Sequence, residues 1–204
     1  MAFCSDMTLE EREVFYQKVM DRANLSDTFA TASGIRITYV GDRRATGELT
    51  VTHDSLNPWG FVHGGCLAAL ADTVAGTAVF TAGYKCVTLS YSFNFLRPAM
   101  GAFIRCAATP QKVGRKVSVM DVTLTNDQGK VVATGNFTFF HTGDVEEKDL
   151  EPVKWDGAGG VGTPPRPAKC GPGRFASSPA GSFRSFCSVF YNFYCFSLIF
   201  HGIY

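Results

Sequence analysis

The sequence predicts an α+β fold in which an antiparallel β-sheet wraps around one long central α-helix. Three observations support this class. A helical segment at 65–82 is apolar on nearly every side, which is typical of a buried helix. Two segments before it and four after it alternate apolar and polar residues with a period of two. An amphipathic segment at 9–23 precedes them all. A single helix buried all round needs a covering layer, and the six strands would supply it.

The N-terminal helix and the first two strands carry the clearest local patterns. Thr8 and Glu11 have the spacing of a capping box, in which each side chain accepts a hydrogen bond from the other residue's backbone N–H. The apolar residues that then recur at helical intervals are Val14, Phe15, Val19 and Met20. The alternating apolar residues of the first strand are Ile35, Ile37 and Tyr39. A turn at Gly41-Asp42 leads to a second strand at 46–52.

The segments on either side of the central helix complete the order of elements. Pro58 and Gly60 keep the stretch 53–63 irregular, and Gly83 ends the helix. The two predicted faces of the next strand are Leu89, Tyr91, Phe93 and Phe95 against Thr88, Ser90, Ser92 and Asn94. Because the first set is entirely apolar, we expect it to face the core. The three further strands, which extend the sheet as an antiparallel meander, are 101–109, 116–125 and 130–141.

Composition and charge narrow the classes of function. The chain has 204 residues and a formal net charge of +1, so no overall field attracts nucleic acid or an acidic membrane surface. Its N-terminus lacks the basic start and apolar run of a signal peptide. The seven cysteines form no CxxC pair and do not stand at zinc spacing with the four histidines. We therefore predict a cytoplasmic protein with reduced thiols, no metal site and no redox cofactor.

Three segments of different composition divide the chain. Residues 1–144 contain all the predicted elements and form one domain. Residues 145–182 are charged at first and then rich in Gly, Pro, Ala and Ser, which is typical of a linker. Residues 183–204 are crowded with Phe and Tyr, and the uncharged run 186–200 falls short of the ~18–20 residues that span a bilayer. We expect a tail that is disordered or foreign to the domain, with membrane contact as the alternative.

Asp72 is the one carboxylate in the apolar central helix. Burying an unpaired carboxylate costs several kcal/mol, which is a large part of the net stability of a domain. Asp72 therefore needs a partner, a cleft or a chemical role. A purely structural reading, in which it caps a local group or reaches solvent between subunits, remains open at this point.

The start of the same helix offers hydrogen-bond donors. A helix that begins at Gly64 or Gly65 exposes backbone N–H groups, and glycine lets a ligand oxygen approach them. The helix dipole adds partial positive charge, so such donors can stabilise an oxyanion formed from a carbonyl. Asp72 lies ~12 Å further along the helix than Gly64, too far to act on the same carbonyl from one chain. The two groups meet if two chains pack helix to helix, which predicts a dimer with composite sites.

These residues form part of a longer pattern. The stretch NPWGFVHGGCLAALAD, at 57–72, resembles the signature of hotdog-fold acyl-CoA thioesterases of the 4-hydroxybenzoyl-CoA thioesterase-like superfamily. It is most similar to the phenylacetate-degradation (PaaI-type) branch, which includes the acyl-CoA thioesterase 13-like proteins. The residues that match are Asn57, Gly60, His63, Gly64, Gly65 and Asp72. The order of elements over 9–141 fits a hotdog fold, and FNFLRPA at 93–99 resembles the strand after the helix in that branch. The tail from about residue 145 has no family counterpart.

The resemblance implies roles for the central residues of the motif. The Gly64 N–H would polarise the thioester carbonyl. Asp72 of the partner subunit would act as general base for water or as nucleophile. Asn57 would position the carbonyl or the water. A hydroxyl residue in the following strand would assist the acid, and we favour Thr88 over Ser90 for that position.

Other residues are assigned to positioning or to substrate binding. For His63 we favour orientation of the loop that holds Asn57 over proton transfer, because a helix dipole disfavours a protonated imidazole at its N-terminus. Gly65 would let the substrate approach the backbone. For the acyl group we favour contact with Trp59 and Phe61, and the alternative is the aromatic face of the 89–95 strand, which we expect in the core. The candidate contacts for the phosphates of coenzyme A are Arg97, Lys112, Arg115 and Lys116, for which a solvated hairpin end is the alternative reading.

The resemblance and the residues together predict hydrolysis of an acyl-CoA to a free acid and CoA by a homodimer or homotetramer. CoA enters as part of the substrate, and no nucleic-acid partner is expected. Two alternatives are a hotdog module that binds acyl-CoA without turnover and a hotdog enoyl-CoA hydratase. The retained Asp72 argues against a pure sensor. The position of His63 directly before the glycine pair argues against the hydratase.

Overall fold

The computed structural model describes residues 7–154 of the chain, so most of the predicted linker and the whole aromatic-rich tail lie outside the described residues. The helices are α1 (Leu9–Leu25), α2 (Phe29–Ala32) and α3 (Gly64–Phe80). The strands are β1 (Ile35–Gly41), β2 (Arg44–Thr50), β3 (Tyr84–Phe95), β4 (Phe103–Val113), β5 (Val117–Asn126) and β6 (Val131–Asp144). Short 3₁₀ turns lie at His53–Ser55 and Glu147–Leu150. Among residues 7–154, no helix has both the length and the apolar character needed to cross a membrane.

The six strands form one antiparallel sheet in the order β1-β2-β4-β5-β6-β3, and α3 packs against it. The predicted fold class, an antiparallel sheet around a long central helix, is confirmed. The predicted meander holds only for β4, β5 and β6. The strand after α3 does not lie beside β4, because β3 pairs with β6 and forms an edge of the sheet. The sheet position of β3 decides which of its side chains are covered, as described below.

The N-terminal helix forms as the capping box predicts. The Thr8 N–H donates to Glu11 Oε2 at 2.7 Å, and the Glu11 N–H donates to Thr8 Oγ1 at 3.2 Å. Phe15 and Val19 are buried against the domain, whereas Val14 is exposed. The helix therefore contributes a narrower apolar stripe than its sequence suggests.

A β-bulge interrupts the alternation predicted for the first strand. The register between β1 and β2 shifts between Ile37 and Tyr39. Beyond the shift Tyr39 points to solvent and Val40 is buried in its place. A bulge adds one residue to one strand, so side chains after it exchange faces. The turn falls one residue later than predicted, at Asp42 and Arg43, and Arg43 has a φ of 56°.

The central helix is buried on one side only. Its covered face carries the buried residues Leu67, Leu70, Ala71, Val74, Ala75, Ala78 and Val79. This face lies close to β2, because a Cβ added at Gly47 would come within 2.7 Å of Val74 Cγ2 and 2.9 Å of the Arg36 carbonyl oxygen. The residues of the opposite face remain partly or fully exposed in the protomer and are Gly65, Ala69, Asp72, Thr73, Gly76 and Phe80. The prediction of burial all round is therefore wrong for a single chain, since its own sheet covers half of the helix.

The packed chain continues past Asp144, where the sequence places the end of the domain. Val145 and Leu150 are buried in the hydrophobic core. Asp149 lies 3.0 Å from the Lys85 ammonium. A hydrogen bond from the Glu146 backbone N–H and the neighbouring Lys85 ammonium hold the pKa of Asp149 below its usual value. The segment after β6 is thus fixed to the start of β3.

Candidate active site at the central helix

His63 is the N-cap of α3. Its ring Nδ1 accepts a hydrogen bond from the Gly65 N–H at 2.9 Å, and its backbone N–H donates to the Ser55 carbonyl at 2.8 Å. Because Nδ1 accepts, that ring nitrogen carries no proton in this arrangement. The ring therefore caps the helix, whereas the Asn57 side chain accepts hydrogen bonds from its own loop. What His63 orients is the first turn of α3.

The cap leaves one backbone donor open at the start of the helix. The Gly65 N–H is occupied by His63, and the next amide, that of Cys66, donates to the His63 carbonyl at 2.9 Å. Gly64 is the first residue of α3, so its N–H has no partner within the helix. The open donor of the pair is thus the Gly64 amide, while the Gly65 amide serves the cap.

Asn57 shapes the loop that precedes α3. Its Oδ1 accepts hydrogen bonds from the backbone N–H groups of Trp59 at 3.0 Å and Phe61 at 3.1 Å. Gly60 closes this turn with a φ of 78°, which strongly favours glycine. Since backbone N–H groups can only donate, the oxygen of Asn57 faces the loop and its amide NH₂ faces away. The NH₂ group is the part of Asn57 that can meet a ligand.

Asp72 lies on the open face of α3 and contacts β3. The Thr88 hydroxyl donates to Asp72 Oδ1 at 2.6 Å. A register shift between Thr88 and Ser90 explains the choice between the two hydroxyl residues. Thr88 stands opposite the buried Phe139, whereas Ser90 stands opposite Thr138 on the other face of the sheet. Of the two candidates, Thr88 is therefore the one that reaches Asp72.

The apolar residues of β3 are less buried than predicted. Leu89 is 58% exposed, Tyr91 56% and Phe95 57%, and Phe93 is half-buried. Leu89 is the unpaired residue of the bulge. The others lack cover because β3 is an edge strand and has a neighbour on one side only. The expectation that this set lies in the core is wrong for the protomer.

The thiols of Cys86, which lies near Asp72, and of Cys66 on α3 are not activated as nucleophiles. Burial, with a smaller contribution from the Asp72 charge, raises the pKa of Cys86 to about 12. Burial also raises the pKa of Cys66 above its usual value. Both groups are therefore protonated thiols at neutral pH, and the thiolate is the reactive form of cysteine. Asp72 is the candidate with ionisable chemistry at this position.

The four basic residues do not come together in one chain. Arg97 lies at the Val132 end of β6, to which its backbone N–H donates at 3.4 Å. Lys112, Arg115 and Lys116 surround the turn between β4 and β5, at the His141 end of β6. Nine residues of extended strand separate these ends by about 30 Å. All four side chains are exposed, Arg97 lies at the Gly64 end of the domain, and the basic turn lies at the other end.

Two side chains at the two ends of the domain, His141 and Phe95, were not predicted from the sequence patterns. The buried His141 ring lies between Ser118 Oγ, 2.8 Å from Nε2, and the Arg115 carbonyl, 3.2 Å from Nδ1. Because a carbonyl accepts, Nδ1 donates to Arg115, and Nε2 accepts from Ser118. Phe95 is the second group, since its ring lies against Gly64. The alternation that places His141 in line with Phe137 and Phe139 was the available signal for its burial.

The described residues thus form two separate half-sites along α3. One consists of Gly64, His63, Asn57 and Phe95 at the helix start, and the other of Asp72 and Thr88. Eight residues of helix, or ~12 Å, separate them. Trp59, 71% exposed, and the half-buried Phe61 lie on the loop beside the first half-site.

Comparison with known proteins relates this arrangement to a family. The family model described as the thioesterase superfamily matches residues 60–133, which include both half-sites apart from Asn57. The acyl-coenzyme A thioesterase PaaI of Escherichia coli is 34% identical over 109 residues, covering 53% of this chain and 78% of the relative. The solved structure of the E. coli PaaI protein, from the phenylacetic acid degradation operon, aligns with a TM-score of 0.59 at 29% identity. That alignment covers 64% of this chain and 97% of PaaI.

A second solved relative comes from Streptococcus pneumoniae. This hypothetical thioesterase, crystallised with coenzyme A, aligns with a TM-score of 0.53 at 33% identity and covers 55% of this chain and 91% of its own. Two further structures of it carry alanine in place of an aspartate and of a threonine. Those two residues stand 16 positions apart, the same separation as Asp72 and Thr88 here.

Proposed function

We propose that this chain, which belongs to the thioesterase superfamily and has its hotdog fold, hydrolyses an acyl-CoA to a free acid and CoA in a site shared by two copies. One observation carries the proposal. An acid held by a neighbouring hydroxyl, Asp72 with Thr88, lies on the open face of a helix whose first amide N–H, that of Gly64, is free to donate to a carbonyl oxygen. The coenzyme A found with the streptococcal relative supports a CoA ester as the substrate class.

The distance between the half-sites is the reason for a second copy. Within one chain Gly64 and Asp72 are ~12 Å apart along the helix axis, so they cannot contact one carbonyl group together. Two α3 helices packed antiparallel about a two-fold axis would place the Gly64 of one copy beside the Asp72 of the other. The small residues of the open face, Ala69 and Thr73, permit the close approach that this packing needs.

The edge strand supports the same arrangement. β3 has one neighbour, β6, and the exposed apolar side chains along and just after it include Val87, Leu89, Tyr91 and Leu96. A contiguous apolar edge with unpaired backbone groups is typical of a surface that another chain covers. A partner that pairs along β3 would cover this edge and the open face of α3 together.

In the proposed reaction Asp72 of the partner takes a proton from water, and the water oxygen attacks the thioester carbonyl carbon. The electron pair moves to the carbonyl oxygen, which the Gly64 N–H stabilises together with the NH₂ group of Asn57. The tetrahedral intermediate then expels the CoA thiolate and leaves the free acid. Direct attack by the Asp72 carboxylate, followed by hydrolysis of the anhydride, is the alternative course that the same geometry permits.

In a shared site, basic residues from the two copies would contact the same ligand. A two-fold packing would turn the partner's basic turn toward the Gly64 end of the first copy, where Arg97 lies. Arg97 and the partner's Lys112, Arg115 and Lys116 would then lie on the same side of the site. Their charges are complementary to the phosphates of CoA. The His141 hydrogen bond to the Arg115 carbonyl would hold the turn in shape for this contact.

The first experiment measures release of the CoA thiol from a panel of acyl-CoA esters. We expect turnover by the natural chain and a loss of about 10²–10⁴ in kcat for Asp72→Asn, because the carboxylate is the proposed base. Thr73→Ser, one residue along the same open face, is the matched control and should keep full activity. Tight binding without thiol release would favour the non-catalytic module, and hydration of an enoyl-CoA would favour the hydratase.

A second experiment tests whether the site is shared. Gly64→Pro removes the amide hydrogen at the first helical position, where proline is tolerated, and Gly64→Ala keeps it. We expect Gly64→Pro to lose about 10²–10³ more in kcat than Gly64→Ala. Subunits of Gly64→Pro and Asp72→Asn are then mixed. A shared site restores about a quarter of the natural activity, because half the dimers are mixed and each has one intact site. A site within one chain would leave the mixture inactive.

A further inference from the structure

An aromatic ring from β3 packs against the start of α3. A Cβ added at Gly64 would lie 3.1 Å from Cζ and 3.2 Å from Cε1 of Phe95, which is the last residue of the strand. The ring therefore sits against the backbone that carries the open amide. Its contact also gives a packing reason for glycine at position 64, in addition to access for a ligand.

The ring is held by a row of aromatic residues. Phe95 meets Phe93 edge-on, with centroids 5.0 Å apart and planes at 69°. Phe93 in turn meets Phe137 edge-on at 6.1 Å, and Phe137 is fully buried in the core. Phe93 also lies across Gly135, where a Cβ would come within 2.5 Å of its ring. Phe95 is thus anchored on one side, while more than half of it remains exposed on the other.

The exposed side of the ring lies where an acyl group would enter. A carbonyl oxygen that accepts from the Gly64 N–H at ~2.9 Å has its carbon roughly 4 Å from the amide nitrogen. The first carbons of the acyl group then lie within van der Waals reach of a ring that touches the same glycine. Trp59, by contrast, lies on the loop outside the first turn of the helix and is mostly in solvent.

We propose that Phe95 forms the acyl-side wall of the site and sets its preference for an apolar acyl chain over an acetyl group. This assignment rests on the proposed function, because it takes the Gly64 amide as the carbonyl donor. It reverses the sequence-based preference, which favoured Trp59 and Phe61 for the acyl contact over the aromatic face of the 89–95 strand. A longer chain covers the ring face that acetyl leaves in water, so apolar burial favours the longer substrate.

The test compares hexanoyl-CoA with acetyl-CoA. For each variant, the ratio of kcat/KM for the two esters is measured by thiol release. We expect Phe95→Ala to lower the hexanoyl-to-acetyl ratio by about tenfold and Phe95→Leu to lower it less, since leucine keeps part of the apolar wall. Phe29→Ala, an exposed phenylalanine on α2, is the matched control and should leave the ratio unchanged.

Binding measured by calorimetry keeps this test independent of turnover. The probes are the thioethers S-hexyl-CoA and S-ethyl-CoA, which the chain cannot hydrolyse. We expect Phe95→Ala to reduce the ratio of their affinities in parallel with the kinetic ratio. The assignment is overturned if Phe95→Ala leaves both ratios within twofold, whether or not Trp59→Ala or Phe61→Ala shifts either of them. Binding with the expected shift but without thiol release would reject hydrolysis and retain the wall, whereas the absence of both probe binding and thiol release would reject both proposals.

Discussion

The two faces of α3 carry mostly small or apolar residues, with Asp72 as the charged exception, but their surroundings are opposite. The face with Leu70 and Val74 is fully buried against the sheet, and Gly47 on β2 has no room for a side chain. The face with Ala69 and Asp72 is partly exposed along its length. One face is packed so closely that a Cβ at Gly47 would come within 2.7 Å of Val74, and the other leaves Asp72 partly exposed.

This difference teaches that hydrophobic composition alone does not distinguish a core surface from a functional one. A helix that is apolar all round is expected to be buried all round, and here its own sheet covers only half of it. The uncovered half carries the hydroxyl–carboxylate pair, Thr88 and Asp72. Changes on the first face should therefore alter stability, and changes on the second should alter activity or assembly.

The largest expected effect is on the buried face. Leu70→Ala should lower the free energy of unfolding by about 2–5 kcal/mol, because it removes a fully buried side chain and leaves a cavity. Thr73→Ala, on the open face, is the comparison variant. Its hydroxyl bonds only the Ala69 carbonyl one turn earlier, so we expect a change below about 0.5 kcal/mol. Urea unfolding followed by circular dichroism measures both.

The comparison fails if Thr73→Ala costs as much as Leu70→Ala at every protein concentration. A cost that is present at high protein concentration and disappears on dilution would sharpen it, because stability that depends on concentration indicates a face covered by a second copy.

The next effect is on activity through the open face. Thr88→Val keeps the shape of the side chain and removes the hydroxyl that donates to Asp72. A hydrogen bond to a charged group contributes about 1.5–3 kcal/mol, so we expect kcat to fall by about 10–100-fold. Ser90→Ala is the matched control, since Ser90 stands opposite Thr138 on the other face of the sheet. Equal losses for the two variants in thiol-release assays would contradict the assignment of Thr88.

Much of the fold could be predicted from local patterns. The strand faces and strand order that were predicted wrongly depend on pairing between distant segments. The capping box of Thr8 and Glu11 formed as expected because all its atoms lie within four residues. The face of β1 was misjudged because the bulge after Ile37 shifts the alternation, and the bulge after Thr88 places Thr88 on the same face as Tyr91 and Phe93. A bulge is a property of the pairing between two strands, so a single strand's period does not reveal it. The placement of β3 beyond β6 was missed for the same reason.

The candidate site shows the same division between local and long-range information. The motif placed His63, Gly64 and Gly65 at the start of α3, where the structure has them. It did not show that His63 uses the Gly65 amide, because the ring's direction depends on the loop anchored at Ser55. It also did not show that the Phe95 ring lies against Gly64. That contact joins the start of α3 to the end of β3, which are far apart in the sequence.

The smallest predicted effect concerns the N-terminus of α3, where His63 is the N-cap. His63→Ala removes the N-cap and should lower the free energy of unfolding by about 1 kcal/mol, whereas His63→Asn supplies another capping acceptor and should restore most of it. If the ring only orients the Gly64 amide, the asparagine variant should also keep kcat within a few-fold of the natural value. A proton-transfer role would instead make both variants equally inactive in thiol-release assays, since neither side chain titrates. Unfolding curves and kcat measured on the same two variants therefore separate capping from catalysis, because only capping makes stability and activity recover together.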